Sequence, residues 1–220
     1  PYGSSGDGTL ATVAALTRDD ILAAHKGALA RDRIFVAAAG DITAAELGPL
    51  LDQLLGDLPA TGAPLPPRAD WRLPPGVTVK DFPTPQSSVL FGHVGIPRDD
   101  PDFFAAFILN EALGGGRFTA RLMSEVREKR GLTYGIGSYL VNMDQADMYL
   151  GQFSASNDKV AEAIQVLRDE WAKIGAEGIT EEELATTKTY LTGPYPSRCD
   201  GNRPTASTMF GMRRRGLPSD

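Results

Sequence analysis

The sequence predicts an α+β fold, with helices packed on one face of a largely antiparallel mixed sheet. Three observations carry that prediction: runs of period-two alternation, apolar helical stripes opened by capping boxes, and the order in which they follow one another. In the second half of the chain that order is strand, strand, helix, helix, strand, strand, helix, helix.

The elements read as follows. Thr17 with Asp19 and Asp20 marks a helix start, and the helix is expected to run to about Leu29. Residues 33–40 form a short apolar run ending in glycine, expected as a buried strand. Thr43-Ala44-Ala45-Glu46 is a capping box, and Leu47, Leu50, Leu51, Leu54 and Leu55 form a stripe on the helix it opens. Prolines 59, 64, 66, 67, 74 and 75 then crowd a stretch with no regular period. This predicts an extended linker over 59–75, between the C-terminal part of a first α/β domain (1–58) and a second α/β domain (76–220) expected to be truncated at its C-terminal end.

Residues 77–82 and 87–96 read as strands, the second with Val89, Phe91 and His93 alternating against Leu90, Gly92 and Val94. Residues 100–113 and 119–130 read as helices separated by Gly114-Gly115-Gly116. Residues 133–141 and 148–154 read as an adjacent strand pair. A long helix is expected at about 158–174, and Thr180-Glu181-Glu182-Glu183 opens another that Pro194 ends. A last helix lies near 205–215.

Composition excludes several function classes. An apolar share of 42% and a charged share of 23% are those of an ordinary globular protein, and no apolar run approaches the roughly 20 residues of a membrane span. A formal charge of −6 argues against nucleic acid or a membrane surface as partner. The Arg213–Arg215 cluster reads as a helix C-terminus facing water. Cys199 is the sole cysteine, so neither an internal disulfide nor a cysteine-built zinc site is available. It stands in a loop-like run with no histidine nearby, which argues against a cysteine nucleophile. His25 and His93 lie far apart and read as surface or satisfied polar residues, so no metal ligands are assigned. The chain opens at Pro1 without an initiator methionine and reads as a fragment of a longer protein.

Three patterns are candidates for chemistry. Gly114-Gly115-Gly116-Arg117 before a helix lacks the lysine and hydroxyl residue of a phosphate-binding loop, so a flexible loop or close backbone contact is the better reading. Glu125, Glu128 and Glu181 to Glu183 read as solvated helix glutamates. Arg127 and Tyr134 sit either side of Gly131, near a helix end and at a strand start. A guanidinium and a phenol aimed at one point are suitable donors to an oxygen that gains negative charge in a tetrahedral intermediate, while a surface arginine and a half-buried tyrosine is the plainer reading.

The segments Leu109-Asn110-Glu111-Ala112-Leu113-Gly114-Gly115-Gly116, Arg121-Leu122 and Val126-Arg127-Glu128-Lys129-Arg130-Gly131-Leu132-Thr133-Tyr134 closely resemble the C-terminal-domain signature of the pitrilysin/insulinase-like zinc metallopeptidases, whose architecture mitochondrial processing peptidase shares. Pro1-Tyr2-Gly3, Gly8-Thr9, 16–20 and 36–41 resemble the stretch that follows the zinc site in those chains, so the resemblance covers nearly all 220 residues. It implies a metallopeptidase-half fold and a chamber for unfolded peptides. It implies that Arg127 and Tyr134 bind the scissile carbonyl or its oxyanion, and that Gly114, Gly115 and Gly116 handle substrate. The inverted zinc motif H-x-x-E-H does not occur here, so the fragment is expected to hold no cofactor and to be inactive alone, with zinc in the parent or a partner chain.

Two arrangements are open. Either the motif lies upstream of Pro1, or the chain is the zinc-free subunit of a bacterial two-chain enzyme. The second is favoured, because Leu191–Pro196 and Asp200-Gly201-Asn202 resemble the zinc-free chains. The implied partners are a zinc-bearing homologous subunit or a second copy, and a peptide substrate. The alternative function is a non-catalytic scaffold, like the core subunits of respiratory complexes, or a peptide-binding subunit. A bacterial periplasmic or envelope setting accords with the resemblance.

Overall fold

A computed structural model describes residues 2–217. They fall into two compact units, one drawn from 1–67 and 193–220 and the other from 68–192.

The first unit contains α1 (Leu10–Ala14), α2 (Arg18–Ala28), α3 (Ala44–Leu55) and the later helix Asn202–Arg214. Reciprocal capping boxes open the first three. Thr9, Thr17 and Thr43 each accept from the backbone N–H three residues on, and Thr12, Asp20 and Glu46 reach back to the cap. None of these four helices fully buries a residue within the described chain, and Leu50 and Leu54 are exposed. The strand expected at 33–40 does not form. Residues 31–33 make a 3-10 turn and 34–39 run on with no ladder, because the described part of this unit contains no strand to pair with. Residues 59–63 are tied to the end of α2 through Arg31 N–H to Pro59 O (2.9 Å) and Ala63 N–H to Gly27 O (2.9 Å).

The second unit is built on a three-stranded sheet of β1 (Gln86–Val94), β2 (Ile136–Asn142) and β3 (Asp147–Ser156), in the order β1-β3-β2. Both pairings are antiparallel, with Leu90 and Gly137 opposite Gln152. Alternation decides the faces. Val89 and Phe91 turn inward with Ile136, Phe153 and Ala155, while Leu90 is 82% exposed on the other face. Against the inner face pack α4 (Phe103–Leu113), a π-helical segment (Met123–Glu128) and α5 (Val160–Glu177), through Leu113, Val126, Leu167 and Ile174. Helix α6 (Glu181–Thr192) packs on α4; the Asn202–Arg214 helix is α7.

The strand expected at 77–82 is also absent, and Val77, Val79 and Phe82 are exposed. Pro74, Pro75, Pro83 and Pro85 bracket it, and proline offers no N–H to a ladder. Residues 68 and 69 are pinned instead to the β2–β3 turn, by an Arg68–Asp147 ion pair and Ala69 N–H to Gln145 O. Arg121 joins the layers: it makes a two-pronged bond to Glu183 at 2.9 and 2.6 Å, while Glu183 also caps α6 by accepting from Thr180 N–H.

Candidate functional site

The candidate residues lie where the helix after the glycine run turns back into β2. That helix departs from α-geometry at Met123, and Lys129 N–H donates to Ser124 O, five residues back. It ends as a Schellman motif: Gly131 N–H donates to Arg127 O (2.8 Å) and Leu132 N–H to Val126 O (3.0 Å), with Gly131 at φ 61°. Leu132 and Val126 are both buried, which supplies the motif's apolar contact.

The strand start is pinned as firmly. The Thr133 hydroxyl lies 2.6 Å from Ser154 O and accepts from Gly135 N–H at 3.2 Å. With Leu132, Thr133 and Ile136 held inward, Tyr134 is left 89% exposed. It lines a cleft of about 530 Å³ together with Gly115, Gly116, Gly137, Tyr139 and Gln152.

Three cations crowd the helix end, and they are not equivalent. Lys129 and Arg130 both bind Glu125, and these bonds hold its carboxyl below the ordinary carboxylate range. Among the described residues Arg127 is paired with Glu128 alone, at 3.5 Å, and its guanidinium carbon lies 4.6 Å from the centre of the Phe118 ring.

The three glycines differ in what they need. The Gly114 carbonyl accepts from Ser138 N–H at 2.8 Å, and a Cβ there would overlap Ser138 Oγ. That hydroxyl links two side chains: it donates to Asn110 Oδ1 (2.8 Å) and accepts from Tyr149 OH (2.7 Å). All three side chains are buried, and burial pushes the Tyr149 phenol up to about 12. Gly115 is packed against Glu111, whose carboxyl burial raises above its usual range despite the nearby Arg117 guanidinium. Gly116 has no atom within 4 Å of where a Cβ would stand.

The structure thus gathers Gly115, Gly116 and Tyr134 around one cleft. Arg127 is not in that lining; it meets Phe118, which with Gly116 lines a second cleft beside α6. No hydrogen bond joins Arg127 to Tyr134 among the described residues. The sequence reading missed Phe118, Ser138 and Tyr149. A serine two residues after Ile136, on the inward phase of β2, was the signal for the buried network, and an aromatic just after the glycine run was the signal for Phe118.

Among the described residues no group of three or more His, Cys, Asp or Glu could hold a metal ion. His25 is exposed on α2, His93 stacks on Tyr149 (5.1 Å), and Cys199 is exposed. These donors do not fit a zinc ion.

Comparison with known proteins agrees with this architecture. The family profile described as "Peptidase M16 inactive domain" matches residues 15–191. An "Uncharacterized zinc protease" of Streptomyces coelicolor is 31% identical over 196 residues, which are 84% of this chain and 42% of that protein. The crystal structure of a peptidase M16 inactive domain from Pseudomonas fluorescens superposes with a TM-score of 0.83 at 30% identity, covering 99% of this chain and 52% of that one. A chain of complex III from Candida albicans shares the fold, with a TM-score of 0.71 at 16% identity over 97% of this chain and 52% of that one. The chain therefore spans about half the length of the relatives it matches.

Proposed function

The chain belongs to the peptidase M16 inactive-domain family, and we propose that it is the zinc-free half of a zinc-dependent endopeptidase acting on unfolded peptides. Its own contribution is a pair of donors. The Arg127 guanidinium and the Tyr134 phenol donate to the scissile carbonyl oxygen as that oxygen gains negative charge. One observation carries the reading: both groups have unused donor capacity, Tyr134 in the glycine-rich cleft and Arg127 on the ring of Phe118, which with Gly116 lines a second cleft. Tyr134 is 89% exposed with no hydrogen-bond partner among the described residues, and Arg127 is the one cation at its helix end not bound to Glu125. The open backbone at Gly116 leaves room for an extended peptide to approach.

Zinc and the general base come from outside these residues, in a homologous zinc-bearing subunit or a second copy of the full-length protein. The fold's likeness to a chain of a respiratory complex favours a second reading, a scaffold with no part in chemistry, in which Arg127 and Tyr134 have no task. Reconstitution separates the two. Full-length protein and its zinc-bearing homologue are purified apart and mixed with an unfolded peptide. Cleavage that appears only in the mixture is expected, and equal cleavage by the zinc-bearing chain alone overturns the proposal.

A further inference from the structure

We propose that Phe118 is a positioning residue for Arg127, a ring that carries the guanidinium and aims it while leaving its donors free. The inference rests on the oxyanion role proposed above for Arg127 and adds the side chain that orients it.

Phe118 is placed unlike a packing residue. It is 65% exposed and stands outside the hydrophobic core of its unit. What its ring does meet is the Arg127 guanidinium carbon, 4.6 Å from the ring centre and within cation–π range. The other restraint on Arg127 is weak. Its Nε is 3.5 Å from a Glu128 carboxylate whose side chain is 56% exposed, and pairs of that kind contribute little in water.

The mode of holding matters chemically. A carboxylate partner would occupy the in-plane N–H groups of a guanidinium, the same groups an oxyanion needs. A ring occupies the flat face and leaves the edge donors available. Arg130, whose Nη1 is held by the Glu125 carboxylate at 2.7 Å, shows the opposite case on the same helix end.

The ring itself has a fixed base. Arg117, one residue earlier, is 8% exposed and anchored by its Nη2 to Thr187 Oγ1 at 2.7 Å, with its guanidinium over the Tyr190 ring. Ala120 N–H closes a turn onto Arg117 O at 3.1 Å. Adjacent residues on this turn therefore differ in exposure, Arg117 inward and Phe118 outward. Phe118 and Gly116 line one cleft, and Gly116 also lines the cleft of Tyr134, so the ring stands two residues from the proposed peptide path.

The test uses the assembled full-length enzyme with Phe118→Leu, Phe118→Tyr, Phe118→Trp and Arg127→Ala. Phe118→Leu should lower kcat about tenfold with KM little changed, as expected for a donor misplaced in the transition state. Phe118→Tyr and Phe118→Trp should restore most of the rate, since each supplies an aromatic face. In nuclear magnetic resonance of the protein, the Arg127 side-chain N–H signals should lose their ring-current shift in Phe118→Leu alone among the aromatic-site variants. Wild-type kcat in Phe118→Leu with Arg127→Ala impaired would overturn the inference and leave the oxyanion reading standing. So would a raised KM at unchanged kcat, or a tyrosine variant as slow as the leucine. Wild-type turnover in Arg127→Ala would defeat the oxyanion reading itself.

Discussion

Adding one methyl group at Gly114 should destabilise the protein more than the same change at any open glycine of the cleft. Gly114 has φ −140° and ψ 15°, a conformation open to other residues, so the constraint is steric. Its new Cβ would overlap Ser138 Oγ and stand 3.1 Å from Leu122 Cδ1, and both neighbours are fully buried. Ser138 cannot swing aside at no cost, because its hydroxyl joins Asn110 to Tyr149 and its N–H binds the Gly114 carbonyl. Overpacking costs about 1–3 kcal/mol and a buried hydrogen bond left unmade about 1–3 kcal/mol, so Gly114→Ala should lose about 3 kcal/mol. Urea denaturation of the full-length protein measures this. Gly116→Ala is the control, with nothing within 4 Å of the new methyl, and should fall within about 0.5 kcal/mol of wild type. Adding Ser138→Ala to Gly114→Ala removes the overlapping oxygen, so the two changes together should cost less than their sum. A loss below about 1 kcal/mol in Gly114→Ala, or strict additivity with Ser138→Ala, would refute the packing argument.

Two further outcomes follow from ionisation. The Arg121 bonds hold the Glu183 carboxyl below its ordinary range, so their stabilisation is complete above the unfolded carboxylate pKa and is lost as pH falls through the lower folded value. Glu183→Gln should flatten that acid-side loss in urea midpoints measured from neutral pH downward, and an unchanged slope would contradict it. Burial raises the Tyr149 phenol to about 12, so stability should fall as pH rises from about 10 towards 12, and Tyr149→Phe should remove that alkaline loss. The same variant should cost about 1 kcal/mol at neutral pH for the hydrogen bond to Ser138.

Much of each unit's helix and strand order was legible in the sequence. Alternation over Val89, Leu90 and Phe91 marked β1 as a strand, and capping residues at Thr17, Thr43 and Thr180 placed the starts of α2, α3 and α6. Two apolar runs, 33–40 and 77–82, carried the composition of strands without becoming strands. A run's apolarity is local, whereas a ladder needs a partner strand and free N–H groups, and the prolines around 77–82 remove several. The π-helical turn under Arg127 was equally hidden, because it shifts hydrogen bonds by one residue while leaving the apolar spacing intact. At the candidate site, Arg127, Tyr134 and the glycines were singled out by residue pattern and given roles by resemblance to a peptidase signature. The unequal demands on the three glycines, and the ring under Arg127, come from contacts across distant segments that no spacing rule contains.

The central claim is that this half of the enzyme donates hydrogen bonds to the reacting carbonyl, and Tyr134→Phe tests it most directly. The side chain is almost fully exposed, so the change leaves folding intact while deleting the donor. In the assembled full-length enzyme, kcat for peptide cleavage should fall by at least about tenfold, with an unchanged urea midpoint. Turnover equal to wild type would contradict the account and leave the chain as a scaffold.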